Sequence, residues 1–388
     1  MLNTLAVTNY RSLRDLKIAL GPLNVITGAN GSGKSSLYRA LRLLADCAQG
    51  QVIGSLAREG GLQSVLWAGP EQISGAVRRG EHPVQGTTRS APVNVQLGFS
   101  SDEFGYLIDL GIPRPDAGSA FNLDPEIKRE VVFDGPLMRP SSMLVRRKRP
   151  SAEARDADGG WVELSTEMNT FECVLTDFPD PQRVPELWAV RQQIRSWRFY
   201  DSFRTDPDAP ARQTQVGTRT PVLDHDGRDL AAALQTIIVI GDADSMRTTI
   251  DDAFPGSQLA ISEAAGRFDL AFSQDGLLRP LAGAELSDGT LRYLLLVAAL
   301  LTPRPPGLMV LNEPETSLHP DLLAPLGRLI LAAARRTQVI VVSHAAPLIS
   351  VLREQPVTTV VELEKDLGET RIVDQGILEG PPWNWGKR

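Results

Sequence analysis

The stretch Gly28-Ala29-Asn30-Gly31-Ser32-Gly33-Lys34-Ser35 decides how this chain is read. It fits G-x-x-x-x-G-K-[ST] at every fixed position. A compact apolar run, Leu23 to Thr27, precedes it, and Ser36 to Ala45 carries apolar residues at helical spacing. Each residue type has a chemical reason. Glycines let successive backbone N–H groups curl around phosphate oxygens, and a helix start adds partial positive charge. Lys34 reaches the β- and γ-phosphate oxygens and the Ser35 hydroxyl ligates Mg²⁺. Asn30, Gly31, Ser32, Gly33 and Ser36 complete the cradle. The stretch is read as a nucleoside triphosphate site.

The last third of the chain says which kind. Leu308-Met309-Val310-Leu311-Asn312-Glu313-Pro314-Glu315 is an apolar strand ending in polar residues. A glutamate placed there can orient or deprotonate an attacking water, the role assigned to Glu313. Upstream, Leu286-Ser287-Asp288-Gly289-Thr290 opens the helical run LRYLLLVAALL, and a Ser-x-Gly turn at a helix N-terminus is a second anion site. Downstream, the strand Val339 to Val342 ends in Ser343-His344, where an imidazole can hydrogen-bond a γ-phosphate. Strands alternating with helices predict a parallel sheet with covered faces.

Between these motifs the pattern changes. Val93 to Phe99, Tyr106 to Ile112, Glu130 to Phe133, Met143 to Arg147 and Trp161 to Leu164 read as short strands punctuated by Pro and Gly, which predicts an antiparallel region. Residues 50–89 read as loop. Helices are expected over 185–198, 229–240 and 244–254, short strands over 259–262 and 268–272, and a closing strand pair over 357–364 and 370–374.

In order and spacing the motifs resemble the ABC-type ATPases. The segments TNYRSLRDLKIAL, LNVITGANGSGKSSL and VLNEPETSLHP are similar to those of the RecF/SMC group of DNA-associated ATPases, including RecF-like and OLD-like members. The resemblance covers residues 1–45 and 281–364. It implies an α/β P-loop NTPase: an ABC-type ATPase head, 1–112 with 256–388, carrying an antiparallel β subdomain and an inserted globular lobe at 113–255. It implies ATP and Mg²⁺ as cofactors, with Ser35 and residue 312 on the metal, Glu313 as base and His344 as sensor. Ser287, Asp288 and Gly289 become a signature that completes the ATP site of a second copy, so an ATP-dependent homodimer follows. Ser317 to His319 becomes the D-loop, and Arg11 approaches the nucleotide. No Q-loop stands out; Gln63 is the nearest candidate, and a surface glutamine is the plainer reading of it.

The chain departs from the group's pattern at Asn312, where the group has Asp. The amide keeps the shape and one oxygen but loses the charge, so weaker Mg²⁺ binding and slow turnover are expected. Asp288 and Thr290 replace a glycine and a glutamine, which are milder changes.

Composition bounds the rest. The 388 residues are 42% hydrophobic and 22% charged, which excludes wholesale disorder. No apolar run is long enough for a membrane span, and no signal peptide is visible. Two cysteines in unrelated contexts fit a reducing, cytoplasmic location. A net charge of −7 excludes a generally basic nucleic-acid binder but leaves a local basic groove open. The 28 prolines and 33 glycines exclude a coiled-coil arm between Lys34 and Ser287. Only 44 residues follow His344, too few for a Toprim nuclease domain. In the insertion, Arg146, Arg147, Lys148 and Arg149 form a basic run suited to the phosphates of double-stranded DNA, with Arg78, Arg79 and Arg89 adding to it. Arg195, Arg198 and Arg204 around Trp197 and Tyr200 could stack unpaired bases. A solvated hairpin and an ordinary core are the alternative readings. The expected function is an ATPase that dimerises on ATP and acts on DNA in repair, maintenance or phage defence. The alternative is a regulatory ATP-binding subunit controlling a partner effector, a toxin or nuclease.

Overall fold

β1 (Leu2–Tyr10), buried continuously from Thr4 to Val7, and β2 (Leu13–Ala19), where buried and more exposed positions interleave, form an antiparallel pair. In the computed structural model, which describes residues 1–69, 93–113, 117–118, 120–178, 181–201, 203–376 and 379–386, Arg11 turns between them at a φ of 54°. The buried run of β3 (Leu23–Gly28) leads into the phosphate loop and α1 (Lys34–Cys47). Next come α2 (Val52–Arg58) and α3 (Leu62–Val65), where the sequence reading expected loop. Their apolar residues are too few to show a period, yet Val52, Leu56, Leu62 and Val65 are fully buried. Helix formation here follows tertiary burial rather than pattern.

The expected antiparallel region forms from β4 (Val95–Ser101), β5 (Phe104–Gly111), β6 (Glu126–Asp134), β7 (Met143–Lys148) and β9 (Trp161–Ser165), with β8 (Ser151–Arg155), which the sequence reading did not include, between the last two. Then follow α4 (Val174–Asp177), α5 (Pro185–Arg195), β10 (Arg198–Tyr200), β11 (Gln215–Val216), α6 (Leu230–Ile240) and α7 (Ala243–Ala253). The hairpin β12 (Gln258–Ala264) and β13 (Arg267–Ser273) and the short β14 (Leu281–Ala282) precede α8 (Asp288–Leu300). The chain continues through β15 (Leu308–Asn312), α9 (Leu323–Ala334), β16 (Gln338–Val342), α10 (Ala346–Arg353), β17 (Thr358–Asp366) and β18 (Glu369–Ile372).

These elements form two compact units. The first comprises Met1–Leu20, Gly28–Ser196 and Val361–Arg388. Its frame is an eight-stranded sheet in the order β2-β1-β4-β5-β6-β7-β8-β9. The tail docks on this sheet. Trp383 and Trp385 pack against Leu107, Val131, Phe133 and Met138, and Arg129 donates to the Trp385 carbonyl. The second unit comprises Gly21–Thr27 and Trp197–Val360. Its parallel strands run β10-β15-β16-β3, with Asn312 paired to Val342 and Val342 to Ile26. One face of these strands, with Leu23, Val25, Met309, Leu311, Val339 and Val341, packs with α6, α8, α9 and α10 in a single core.

These units divide the chain elsewhere than at 112/113 and 255/256. A cut at 112 falls between β5 and β6, which pair along their length. A cut at 255 separates α7 from the hairpin that shares its unit. The cysteines are not in unrelated contexts either. Cys47 closes α1, Cys173 precedes α4, and both are fully buried in the first unit. Contact with the Cys47 thiol, then burial, holds the Cys173 thiol well above its ordinary range. Among the described residues no helix is long and apolar enough to cross a membrane.

Candidate functional site

In the first unit the phosphate loop turns on left-handed glycines. A Cβ on Gly28, at φ 137°, would lie 2.1 Å from the Leu363 carbonyl oxygen. One on Gly33, at φ 112°, would lie 2.1 Å from Thr370 Oγ1. Only glycine satisfies both the space and the backbone angle. Thr370, on β18, fastens the loop: its hydroxyl contacts the Ser32 carbonyl and Ser12 Oγ, each at 2.8 Å. Ser12 Oγ in turn meets Ser36 Oγ at 3.3 Å. Nothing in the sequence marked Thr370. Lys34 is buried and lies back along the loop, donating to the carbonyls of Gly28 at 2.6 Å and Ala29 at 3.0 Å. Asn30, Gly31 and Ser35 are exposed, whereas the buried Ser32 hydroxyl has no protein partner.

Arg11 is paired with an acid of the same unit. Its guanidinium sits on Glu59, just past α2, at 2.8 and 3.2 Å, and Glu59 also accepts the Tyr10 hydroxyl at 2.8 Å. Burial first, and then Glu59, push the Tyr10 phenol well above its usual range. Gln63 is exposed on α3.

In the second unit the register of β15 on β16 brings Glu313 and His344 together. Beyond the Asn312–Val342 pair, the Glu313 N–H donates to the Val342 carbonyl at 2.8 Å. Glu313 then takes a left-handed φ of 48°, turning the chain out of the strand. Its carboxylate stands 3.7 Å from His344 Nδ1, and both side chains are about half exposed. Glu315, which the sequence reading did not single out, is the buried member of the group. Its Oε1 accepts Ser343 Oγ at 2.7 Å, the His344 N–H at 3.1 Å and the Ala345 N–H at 3.3 Å, and lies 3.5 Å from His344 Nδ1. Its Oε2 is buried without a hydrogen-bond partner. Arg292, one turn into α8, donates to the Glu313 carbonyl at 3.3 Å. Burial holds its guanidinium below the ordinary range, and Glu315, Asp201 and Glu313 draw it back up. A second acidic residue two positions after Glu313 was the one available sequence signal for Glu315.

The signature segment is equally constructed. Ser287 caps α8, its Oγ accepting the Thr290 N–H at 3.1 Å and meeting Thr290 Oγ1 at 2.8 Å. Asp288, where the resembling group has glycine, is held by Arg212 Nη2 at 2.7 Å. Arg212 is buried and also donates to the carbonyls of Thr205, Asp206, Gly283 and Leu286. Gly289 faces the carbonyl of Ser317, to which a Cβ would approach within 3.1 Å. Ser317 is left-handed at φ 65°, and His319 is exposed beside Asp321. The turn at Gly289 and the turn at Ser317 are therefore adjacent within the unit.

The basic run does not survive as four available cations. Residues 146 and 147 point to opposite faces of β7. Arg147 is fully buried, 2.7 Å from Glu130, and donates to the carbonyls of Arg149, Asn169 and Glu172. Arg146 pairs with Glu153 at 2.6 Å and stacks on Trp161, 4.0 Å from its centroid. Lys148 and Arg149 are exposed at the hairpin tip. Trp197 and Tyr200 are buried core, so they cannot stack on bases. Arg204 forms a bidentate pair with Asp206. Arg78, Arg79 and Arg89 lie outside the described residues.

The family described as "AAA domain, putative AbiEii toxin, Type IV TA system" matches residues 23–350. A stretch of 44 residues is 48% identical to the OLD nuclease of Thermus scotoductus; it is 11% of this chain and 8% of that nuclease. The chain thus matches only a small part of that relative's length. Among solved structures, an SMC head bound to the C-winged helix domain of ScpA superposes with a TM-score of 0.51 at 10% identity, covering 97% of this chain and 98% of that one. A Pyrococcus furiosus Smc head with an extended coiled coil, bound to the C-terminal domain of ScpA, gives 0.50 at 12% identity, covering 96% and 95%. At such identities the likeness speaks for the fold alone, and the fold is that of an ABC-type ATPase head.

Proposed function

Because this chain belongs to the AAA-domain family matched over residues 23–350, we propose that it binds ATP with Mg²⁺ and hydrolyses it slowly. The observation that carries the reading is the convergence of Glu313 and His344 at the ends of two paired parallel strands. Lys34 and the loop amides take the phosphates. The donors suited to Mg²⁺ are a hydroxyl (Ser35) and a neutral amide (Asn312). Among the described residues no group of three His, Cys, Asp or Glu could hold a metal by itself. Such donors suit an ion that keeps waters and phosphate oxygens in its shell. Mg²⁺ supplies charge neutralisation when bound; Glu313 takes the proton of the attacking water and His344 meets the γ-phosphate edge.

Ser287 and Gly289 are exposed or half-exposed on their unit, as a signature that serves a second copy requires. ATP therefore closes a homodimer, with isologous contacts. The dimer acts on DNA, in repair, maintenance or phage defence. Any contact through β7 and its hairpin tip is limited to Lys148 and Arg149. The test is steady-state phosphate release with and without double-stranded DNA, for wild type, Lys34→Ala and Glu313→Gln, with scattering to read ATP-induced dimerisation. Absence of release in wild type, or a Glu313→Gln variant that stays monomeric in saturating ATP-Mg²⁺, sinks the proposal.

A second reading is favoured by Asn312 and by the toxin named in the family description. In it the chain is an ATP-binding subunit with negligible turnover that holds a partner effector. Tight ATP binding without hydrolysis, together with DNA-independent behaviour, would select it.

A further inference from the structure

Glu315 is a buried ionisable group beside Glu313 and His344 that the mechanism leaves unused. The Glu315 side chain is only 7% exposed, carries an unpartnered Oε2, and concentrates three donors from consecutive residues on its Oε1. A buried carboxylate with an unpartnered oxygen is costly unless it serves a purpose. Apolar packing would close the end of β16 more cheaply. What the charge supplies is direction. The Ser343 hydroxyl and the N–H groups of His344 and Ala345 are fixed around one oxygen, so the turn that carries the imidazole has a single arrangement. In that arrangement Nδ1 faces two carboxylates, Glu315 at 3.5 Å and Glu313 at 3.7 Å. Carboxylates only accept, so the nitrogen between them carries the ring proton.

We propose that Glu315 is a positioning residue for hydrolysis. It holds His344 with Nδ1–H toward Glu313, and so presents unprotonated Nε2 in the neutral ring, or Nε2–H in the charged ring, to the substrate. The assignment rests on the ATPase reading for its catalytic consequence but not for its geometry. It also explains the strain at Glu313. The left-handed turn at φ 48° swings that carboxylate to the imidazole that Glu315 has fixed.

Glu315→Gln tests this, because it removes the negative charge beside Nδ1 while an amide oxygen in the place of Oε1 still accepts from the turn. With four histidines in the chain, ¹⁵N-imidazole NMR is tractable, and His344→Gln identifies the signal. Wild type is expected to show His344 protonated at Nδ1. Glu315→Gln is expected to move the proton toward Nε2, and to lower kcat about tenfold with KM for ATP within about twofold, roughly the effect of one misdirected hydrogen bond to the γ-phosphate. An unchanged tautomer overturns the proposal whether or not the protein turns over, and so does an unchanged kcat in an active protein. A shifted tautomer in a protein without turnover keeps the geometric assignment and sinks the hydrolysis reading instead. If Glu315→Gln does not fold, Ser343→Ala removes one donor of the same turn. It must then move the tautomer in the same direction, and no movement overturns the proposal.

Discussion

Replacing Arg147 by alanine should unfold the antiparallel unit rather than weaken DNA binding. The guanidinium is completely buried against an equally buried Glu130. Removing one member of a buried pair leaves the other charge uncompensated, which costs about 3–5 kcal/mol. The carbonyls of Arg149, Asn169 and Glu172 lose their donor as well, at about 1 kcal/mol each. The sum, about 6–8 kcal/mol, is an upper figure because water entering the gap restores part of it. Even so it rivals the whole stability of an ordinary domain, about 5–15 kcal/mol. The double variant Arg147→Met with Glu130→Gln removes both charges. The amide oxygen it introduces would still accept the Tyr106 hydroxyl and the Val174 N–H, which Glu130 Oε1 now accepts at 2.6 and 3.2 Å. It should cost less than half as much. Urea titration followed by tryptophan fluorescence reads this unit well, since Trp67, Trp161, Trp188, Trp383 and Trp385 belong to it and only Trp197 to the other. An Arg147→Ala protein with the wild-type urea midpoint and reduced DNA retention would refute the reasoning.

On the proposed ATPase reading, Asn312→Asp adds a charge for Mg²⁺; it should tighten Mg²⁺ dependence and raise kcat about tenfold, about 1.4 kcal/mol, measured as turnover against Mg²⁺ concentration. Gly33→Ala should abolish ATP binding in calorimetry, because its Cβ meets Thr370 at 2.1 Å and its φ of 112° adds about 1–2 kcal/mol of backbone strain. Asp288→Ala leaves the Arg212 cation without its carboxylate beside the signature, and should reduce ATP-driven dimerisation, read by light scattering, while nucleotide affinity of the monomer stays unchanged. Cys47 and Cys173 are buried, with the Cys173 thiol held protonated, so neither should react with an aromatic disulfide reagent until the protein is unfolded.

The sequence alone determined the parts whose chemistry is local. A phosphate loop is one continuous segment, so Gly28 to Ser35 could be read from spacing, and the apolar strands ending at Asn312 and at Ser343 announced a parallel core with polar tips. Strand punctuation was enough for the antiparallel region. Tertiary structure decided everything that depends on pairing across distance. Arg146 and Arg147 look equivalent in the chain, but the period of a strand sends one outward and buries the other on Glu130. Thr370 and Arg212 are ordinary residues in sequence, and they become the fastenings of the phosphate loop and the signature only because β18 and the turn near Pro210 fold back onto those segments. Glu315 is the sharpest case. Its position after Glu313 was visible. Its burial beneath the His344 turn follows from the register of β15 on β16, which no short window of sequence contains.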